Sequence, residues 1–266
     1  MRMAIFARTV MLALMLTSCA STPLDKFPSA EGDRIPGSRA RIFIPEGAGS
    51  HPAIVMLHTC GGISPHLNMW TERLVGAGYV VLKVDSFGPR GVGSVCDQWG
   101  VSVDQVAADA LAAAEHLRKL PFVDHDRIAV VGFSYGAMAG LRLASASYLK
   151  RQQYPVPFRA VVAFYPFCTA VSSNPALVAV QDNFYFDIAT PVHLLLGGAD
   201  NEAPSALCAS HAEGLIKAGQ PVSYTVMAGA THAFDMDLPS KGYRYNQQAV
   251  ERAWVEMREF LARWMK

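Results

Sequence analysis

Charge is what this chain has little of. Only 17% of its 266 residues are Asp, Glu, Lys or Arg, and 23 basic against 22 acidic residues leave a formal net charge of +1. A surface so near neutrality offers no electrostatic footprint for nucleic acid. The cysteines include no CxxC pair, which removes the usual zinc-ribbon spacing. There is no repeat of 20 to 50 residues and no low-complexity block, because the 16 prolines and 21 glycines are scattered along the chain. Solenoids, propellers, collagen-like repeats and coiled coils are thereby excluded. What is present, at 51% hydrophobic residues, is enough apolar material to bury a substantial core.

The one compositional break is at the front. Arg2 and Arg8 precede an apolar run from Val10 to Leu16, too short to span a bilayer and followed by small residues. That is the layout of an export signal, set aside before reasoning about the fold. Without those two arginines the balance is 21 against 22, or −1. The run ends in Leu16-Thr17-Ser18-Cys19, which resembles the bacterial lipoprotein box, with Cys19 lipidated after cleavage. Acyl chains at about 0.8 kcal/mol per buried CH₂ would hold the protein at a membrane surface. The alternative is an ordinary secretory leader with an incidental cysteine. Ala20 in place of aspartate leans towards the outer membrane rather than the inner. The expected organisation is a signal at residues 1–18, a flexible tether at 19–33, rich in small and polar residues, and one catalytic domain at 34–266. In an oxidising compartment the even set Cys60, Cys96, Cys168 and Cys208 favours disulfides, with buried free thiols as the alternative.

From about residue 40, short β-branched runs alternate with amphipathic stretches. This predicts strands at 41–44, 53–58, 79–85, 127–132, 160–165, 192–197 and 222–227. Helices are predicted at 67–76, 103–120, 137–149, 205–218 and 247–265. Between 103 and 117, for example, Val103, Val106, Ala107, Ala110, Leu111, Ala114 and Leu117 recur at steps of three and four, and Pro121 ends the pattern. The fold class is α/β, a mostly parallel doubly wound sheet with helices on both faces. In such sheets the chemistry sits just beyond the carboxyl ends of the strands.

Four strand ends carry candidates. One strand runs into Gly132-Phe133-Ser134-Tyr135-Gly136 and then a helix, the context in which Gly-x-Ser-x-Gly pushes a serine out of a sharp turn. A serine hydroxyl needs a base and an orienting acid. His232 follows the last strand, and Asp200 follows the strand at 192–197, which gives the chain order Ser, Asp, His. Glu202, Asp235 and Asp237 are competitors for the acid position. The oxyanion donors expected are the N–H of Tyr135 and one from His58-Thr59-Cys60-Gly61-Gly62, Thr59 before Cys60.

These residues, with Asp85-Ser86-Phe87-Gly88-Pro89-Arg90-Gly91, Phe164-Tyr165-Pro166 and Gly229-Ala230-Thr231-His232-Ala233-Phe234, resemble the α/β-hydrolases, and within them the dienelactone hydrolase branch, over about residues 40–265. The resemblance implies a hydrolase of small esters or lactones that needs no cofactor and no metal. Two departures stand out. That branch uses a cysteine nucleophile and a glutamate in the first oxyanion loop, whereas here Ser134 stands at the nucleophile position and His58 or Thr59 replaces the glutamate. Dienelactone itself is therefore a poor fit, and a serine carboxylesterase the better one.

His58 and Arg90 are the candidate substrate contacts, Arg90 either clamping an anionic group or pairing with a structural carboxylate. Some 25 residues separate the strands ending near Tyr165 and starting near Val192, too few for a large lid domain, so a shallow pocket is expected. Phe184, Tyr185 and Phe186 in that segment are candidates to line it. Strand adjacency in the resembled fold implies the pairings Cys60 with Cys96 and Cys168 with Cys208. An acyltransferase or peptidase using the same residues, and a hydrolase-like module that only binds, are the other functions compatible with this pattern.

Overall fold

The computed structural model describes residues 40–97, 100–154, 158–168 and 187–266, together with the backbone pairing of three short segments before residue 40. The expected signal, Cys19, and Phe184, Tyr185 and Phe186 lie outside the described residues.

The strands are β1 (Ser21–Pro23), β2 (Phe27–Pro28), β3 (Arg34–Ile35), β4 (Arg41–Phe43), β5 (His51–Leu57), β6 (Val80–Val84), β7 (Val123–Phe133), β8 (Val161–Phe164), β9 (Val192–Gly197) and β10 (Val222–Met227). Eight of them form one sheet in the order β1-β4-β6-β5-β7-β8-β9-β10, while β2 and β3 pair separately. From β6 to β10 every pairing is parallel; only β4 on β6 and β1 on β4 are antiparallel. The helices are α1 (His66–Gly76), α2 (Val103–Arg118), α3 (Tyr135–Leu143), α4 (Ala146–Arg151), α5 (Ser205–Lys217) and α6 (Gln247–Trp264).

The central strands read as nearly continuous apolar runs because both faces of the sheet are covered. Alternate residues go to opposite layers. Ala53, Val55 and Leu57 of β5 belong to one buried layer with the apolar faces of α2, α3 and α5, whereas Ile54 and Met56 belong to the other, with α1 and α6. Ser102 opens α2 by accepting from Gln105 N while the Gln105 side chain accepts from Ser102 N, so a capping box encoded in four residues sets the helix start.

One expected element divides. The helix predicted over 137–149 breaks between α3 and α4, because Ser145 caps the second piece and, with Ser147, hydrogen-bonds Asp187. Asp187 belongs to the chain entering β9, so the break is imposed by a distant residue. Both implied disulfides are present, Cys60–Cys96 and Cys168–Cys208.

Candidate active site

Ser134 sits between β7 and α3 with φ 48° and ψ −107°, a conformation that costs a non-glycine residue on the order of 1–3 kcal/mol. Tight packing holds it there. A Cβ at Gly132 would lie 2.4 Å from the Gly136 carbonyl oxygen, and one at Gly136 would lie 2.6 Å from the carbonyl oxygens of Leu57 and His58. Only glycine permits strand, turn and helix to approach this closely.

The turn aims Ser134 at His232, in the loop after β10. Ser134 Oγ is 3.1 Å from His232 Nε2, and His232 Nδ1 is 2.7 Å from Asp200 Oδ2, in the loop after β9. All three residues are buried. A carboxylate can only accept, so Nδ1 carries the ring proton and Nε2 is free to accept from the serine hydroxyl. The other Asp200 oxygen accepts from the backbone N–H groups of Glu202 and Ala203 at 2.9 and 2.7 Å, which fixes the carboxylate against rotation.

Of the competing acids, Asp235 is engaged by other donors. It accepts from Trp70 Nε1 and Tyr165 Oη, each at 2.7 Å. Burial, and next the Asp235 charge, push the Tyr165 phenol well above its ordinary range, so it remains a donor. Glu202 stands at the rim, with Oε1 3.8 Å from His232 Nε2 and Oε2 accepting from Tyr243 Oη at 2.6 Å.

A cavity of about 150 Å³ opens over Ser134 and His232. Thr59, Cys60 and Gly61 line one side and Cys96 another, so the Cys60–Cys96 disulfide forms part of its wall. Val95 N donates to Cys60 O at 2.8 Å and reinforces that junction. Tyr135 is the first residue of α3, where a helical N–H has no carbonyl partner within the helix. Most of the remaining wall comes from Met236, Leu238, Lys241 and Tyr243. No sequence signal pointed to this segment, which follows no strand and carries no motif; only its return across the strand ends brings it to the site.

Two expected substrate contacts are used inside the fold instead. Arg90 gives both terminal nitrogens to Asp109 at 2.6 and 2.9 Å and one of them also to Ser86 O at 2.7 Å, so its fork meets a buried structural carboxylate. His58 is also buried: its Nδ1 meets Thr59 O at 2.7 Å and its Nε2 accepts from Ser86 N at 3.2 Å. Burial lowers its pKa, and the neutral ring ties the loop after β5 to the loop after β6. Neither residue lines the cavity.

The model of the dienelactone hydrolase family matches residues 38–265. Among curated proteins, the chain is 29% identical to the esterase FrsA of Salmonella paratyphi B over 157 residues, which are 56% of this chain and 33% of FrsA. The chain thus spans about a third of the length of that relative. Among solved structures, a provisionally assigned dienelactone hydrolase of Klebsiella pneumoniae superposes with a TM-score of 0.72 at 20% identity, covering 92% of this chain and 99% of that one. The butyrate-bound esterase 2 of Thermogutta terrifontis superposes with a TM-score of 0.66 at 18% identity, covering 94% and 95%. Such identities establish the shared fold, and the coverage leaves no room for a large inserted lid domain.

Proposed function

Because the chain belongs to the dienelactone hydrolase family, we propose that it is a serine hydrolase of small carboxylic esters or lactones, with Ser134 as nucleophile, His232 as base and Asp200 as the orienting acid. The observation that carries this reading is the unbroken line from Ser134 Oγ through the His232 ring to Asp200, at 3.1 and 2.7 Å.

In the first half-reaction His232 Nε2 takes the Ser134 proton as Oγ attacks the ester carbonyl. The oxyanion is received by the N–H of Tyr135 and by one from the loop of Thr59 and Cys60, Thr59 being the preferred donor. The imidazolium, stabilised by Asp200, gives its proton to the departing alcohol. Water then enters, His232 takes a proton from it as its oxygen attacks the acyl carbonyl, and the imidazolium returns that proton to Ser134 Oγ as the acyl–Oγ bond breaks and the acid leaves. Ligand sites for drug-sized molecules usually exceed about 300 Å³. A cavity of about 150 Å³ therefore suits a short acyl group.

The same reading places the protein outside the cytoplasm, tethered by acyl chains on Cys19. Two disulfides support an oxidising compartment. Cys19→Ala should release the protein into the soluble fraction and abolish incorporation of labelled fatty acid.

The test of the chemistry is Ser134→Ala, assayed on short-chain esters and with a fluorophosphonate probe. A loss of about 10⁴-fold or more in kcat with unchanged circular dichroism is expected, together with loss of labelling. Unchanged turnover refutes the assignment.

A further inference from the structure

The mechanism above leaves one polar pair at the site without a role. Glu202 Oε1 lies 3.8 Å from His232 Nε2, the nitrogen that exchanges protons with the serine, the alcohol and the water. Its other oxygen accepts from Tyr243 Oη at 2.6 Å. Tyr243 is itself fixed, since its N–H and carbonyl pair with those of Leu238 at 3.2 Å across a tight turn. Burial, and then the bond to Glu202, push its phenol well above the ordinary range, so it stays a donor throughout the working pH range.

Resting on the proposed serine hydrolase reading, we infer that Glu202 is a positioning residue for His232, its carboxylate stabilising the imidazolium while the Tyr243 hydroxyl holds it just beyond hydrogen-bonding reach of Nε2. The restraint matters. At 3.8 Å the charge attracts the imidazolium without accepting Nε2–H, so the proton still goes to the leaving alcohol. The imidazole then lies between two carboxylates, Asp200 bonded at Nδ1 and Glu202 beside Nε2. Among the described residues, the other ionisable groups around it are Tyr165 and Tyr243, whose rings pack on it at 5.0 and 5.5 Å. Asp235 is engaged with Tyr165, and Lys241, on the cavity wall, pairs with Asp97 at 3.6 Å.

The experiment compares pH profiles of kcat/KM for wild type, Glu202→Gln and Tyr243→Phe. A unit charge 3.8 Å away, in a water-like dielectric and screened at physiological ionic strength, is worth about 0.5 pH unit. Glu202→Gln removes it, so the acid limb should move down by about 0.5 unit and kcat fall about threefold. Tyr243→Phe frees the carboxylate to accept Nε2–H directly, so the acid limb should rise while kcat falls. Glu213→Gln, which removes a carboxylate bonded to Tyr224 away from the site, should change neither. Coincident profiles for wild type and Glu202→Gln, or an equal shift in Glu213→Gln, overturn the inference while leaving the hydrolase reading intact. If the wild type hydrolyses no ester, the functional reading fails. An NMR titration of the His232 ring in wild type and Glu202→Gln then decides this inference alone: a downward shift supports it and an unmoved titration overturns it.

Discussion

Removing the Asp235 side chain tests whether the loop carrying His232 is anchored from below. Asp235 lies three residues beyond His232, and its carboxylate accepts from Trp70 on α1 and from Tyr165 at the end of β8. Asp235→Ala leaves two buried donors unpaired, each costing about 1–3 kcal/mol. Removing the buried carboxylate offsets part of this, so the net loss should be about 3–4 kcal/mol. For a domain of this size, that lowers Tm by roughly 6–16 °C. Ala233, between the two residues, holds φ 47°, a conformation it keeps only while the surrounding contacts are intact. The same variant should therefore lower kcat more than it raises KM. Thermal melts with a double-mutant cycle give the assay. Tyr165→Phe in the Asp235→Ala background deletes one orphaned donor, so the double variant should be more stable than the sum of the singles by about 1–2 kcal/mol. A cost below about 1 kcal/mol for Asp235→Ala, or strict additivity in the cycle, would refute the anchoring argument.

Other perturbations separate the remaining contributions. Each disulfide closes a loop of similar length, with sequence separations of 36 and 40, so losing either should cost about 4 kcal/mol in the chain-entropy picture. Only Cys60 and Cys96 line the cavity, so their double alanine variant should also lose ester turnover, whereas Cys168→Ala with Cys208→Ala should melt earlier at nearly unchanged kcat. Gly132→Ala drives a methyl into backbone that cannot rotate away; a loss of about 3 kcal/mol and of fluorophosphonate labelling is expected by melting and gel assay. Burial lowers the pKa of His193 from 6.5 to about 4, its ring packed on Phe260 and bonded to Ser223. Below pH 6.5 the unfolded chain takes up a proton that the folded one refuses, so this contribution is complete above 6.5 and is lost as pH falls towards 4. The loss is on the order of 3 kcal/mol. Urea titrations of His193→Gln should show a flatter dependence over that interval, and an unchanged slope would sink the assignment.

Much of this molecule is legible locally. Both-face burial turns β5 to β9 into apolar runs, and helical periodicity with a capping box marks α2; each is a property of neighbouring residues. The turn at Ser134 is equally local, since Gly132 and Gly136 are demanded by contacts within the strand-turn-helix unit and the strand beside it. Chain order and strand ends narrowed the acid facing His232 to Asp200 and its neighbour Glu202, and these two are told apart only by their distances to the ring in space.

The alternating pattern of apolar and amphipathic segments determined by itself the α/β class, the parallel sheet and the strand ends at which chemistry is sought. Tertiary structure alone decided that Arg90 answers Asp109 rather than an anionic substrate group, that His58 ties two loops together, and that the 236–243 segment closes the cavity with Tyr243 held against Glu202. The division has a physical cause. Periodicity records what each residue does relative to its sequence neighbours, whereas a charge or hydrogen-bonding group is satisfied by whichever partner folding brings within about 3 Å, and that partner lies tens of residues away.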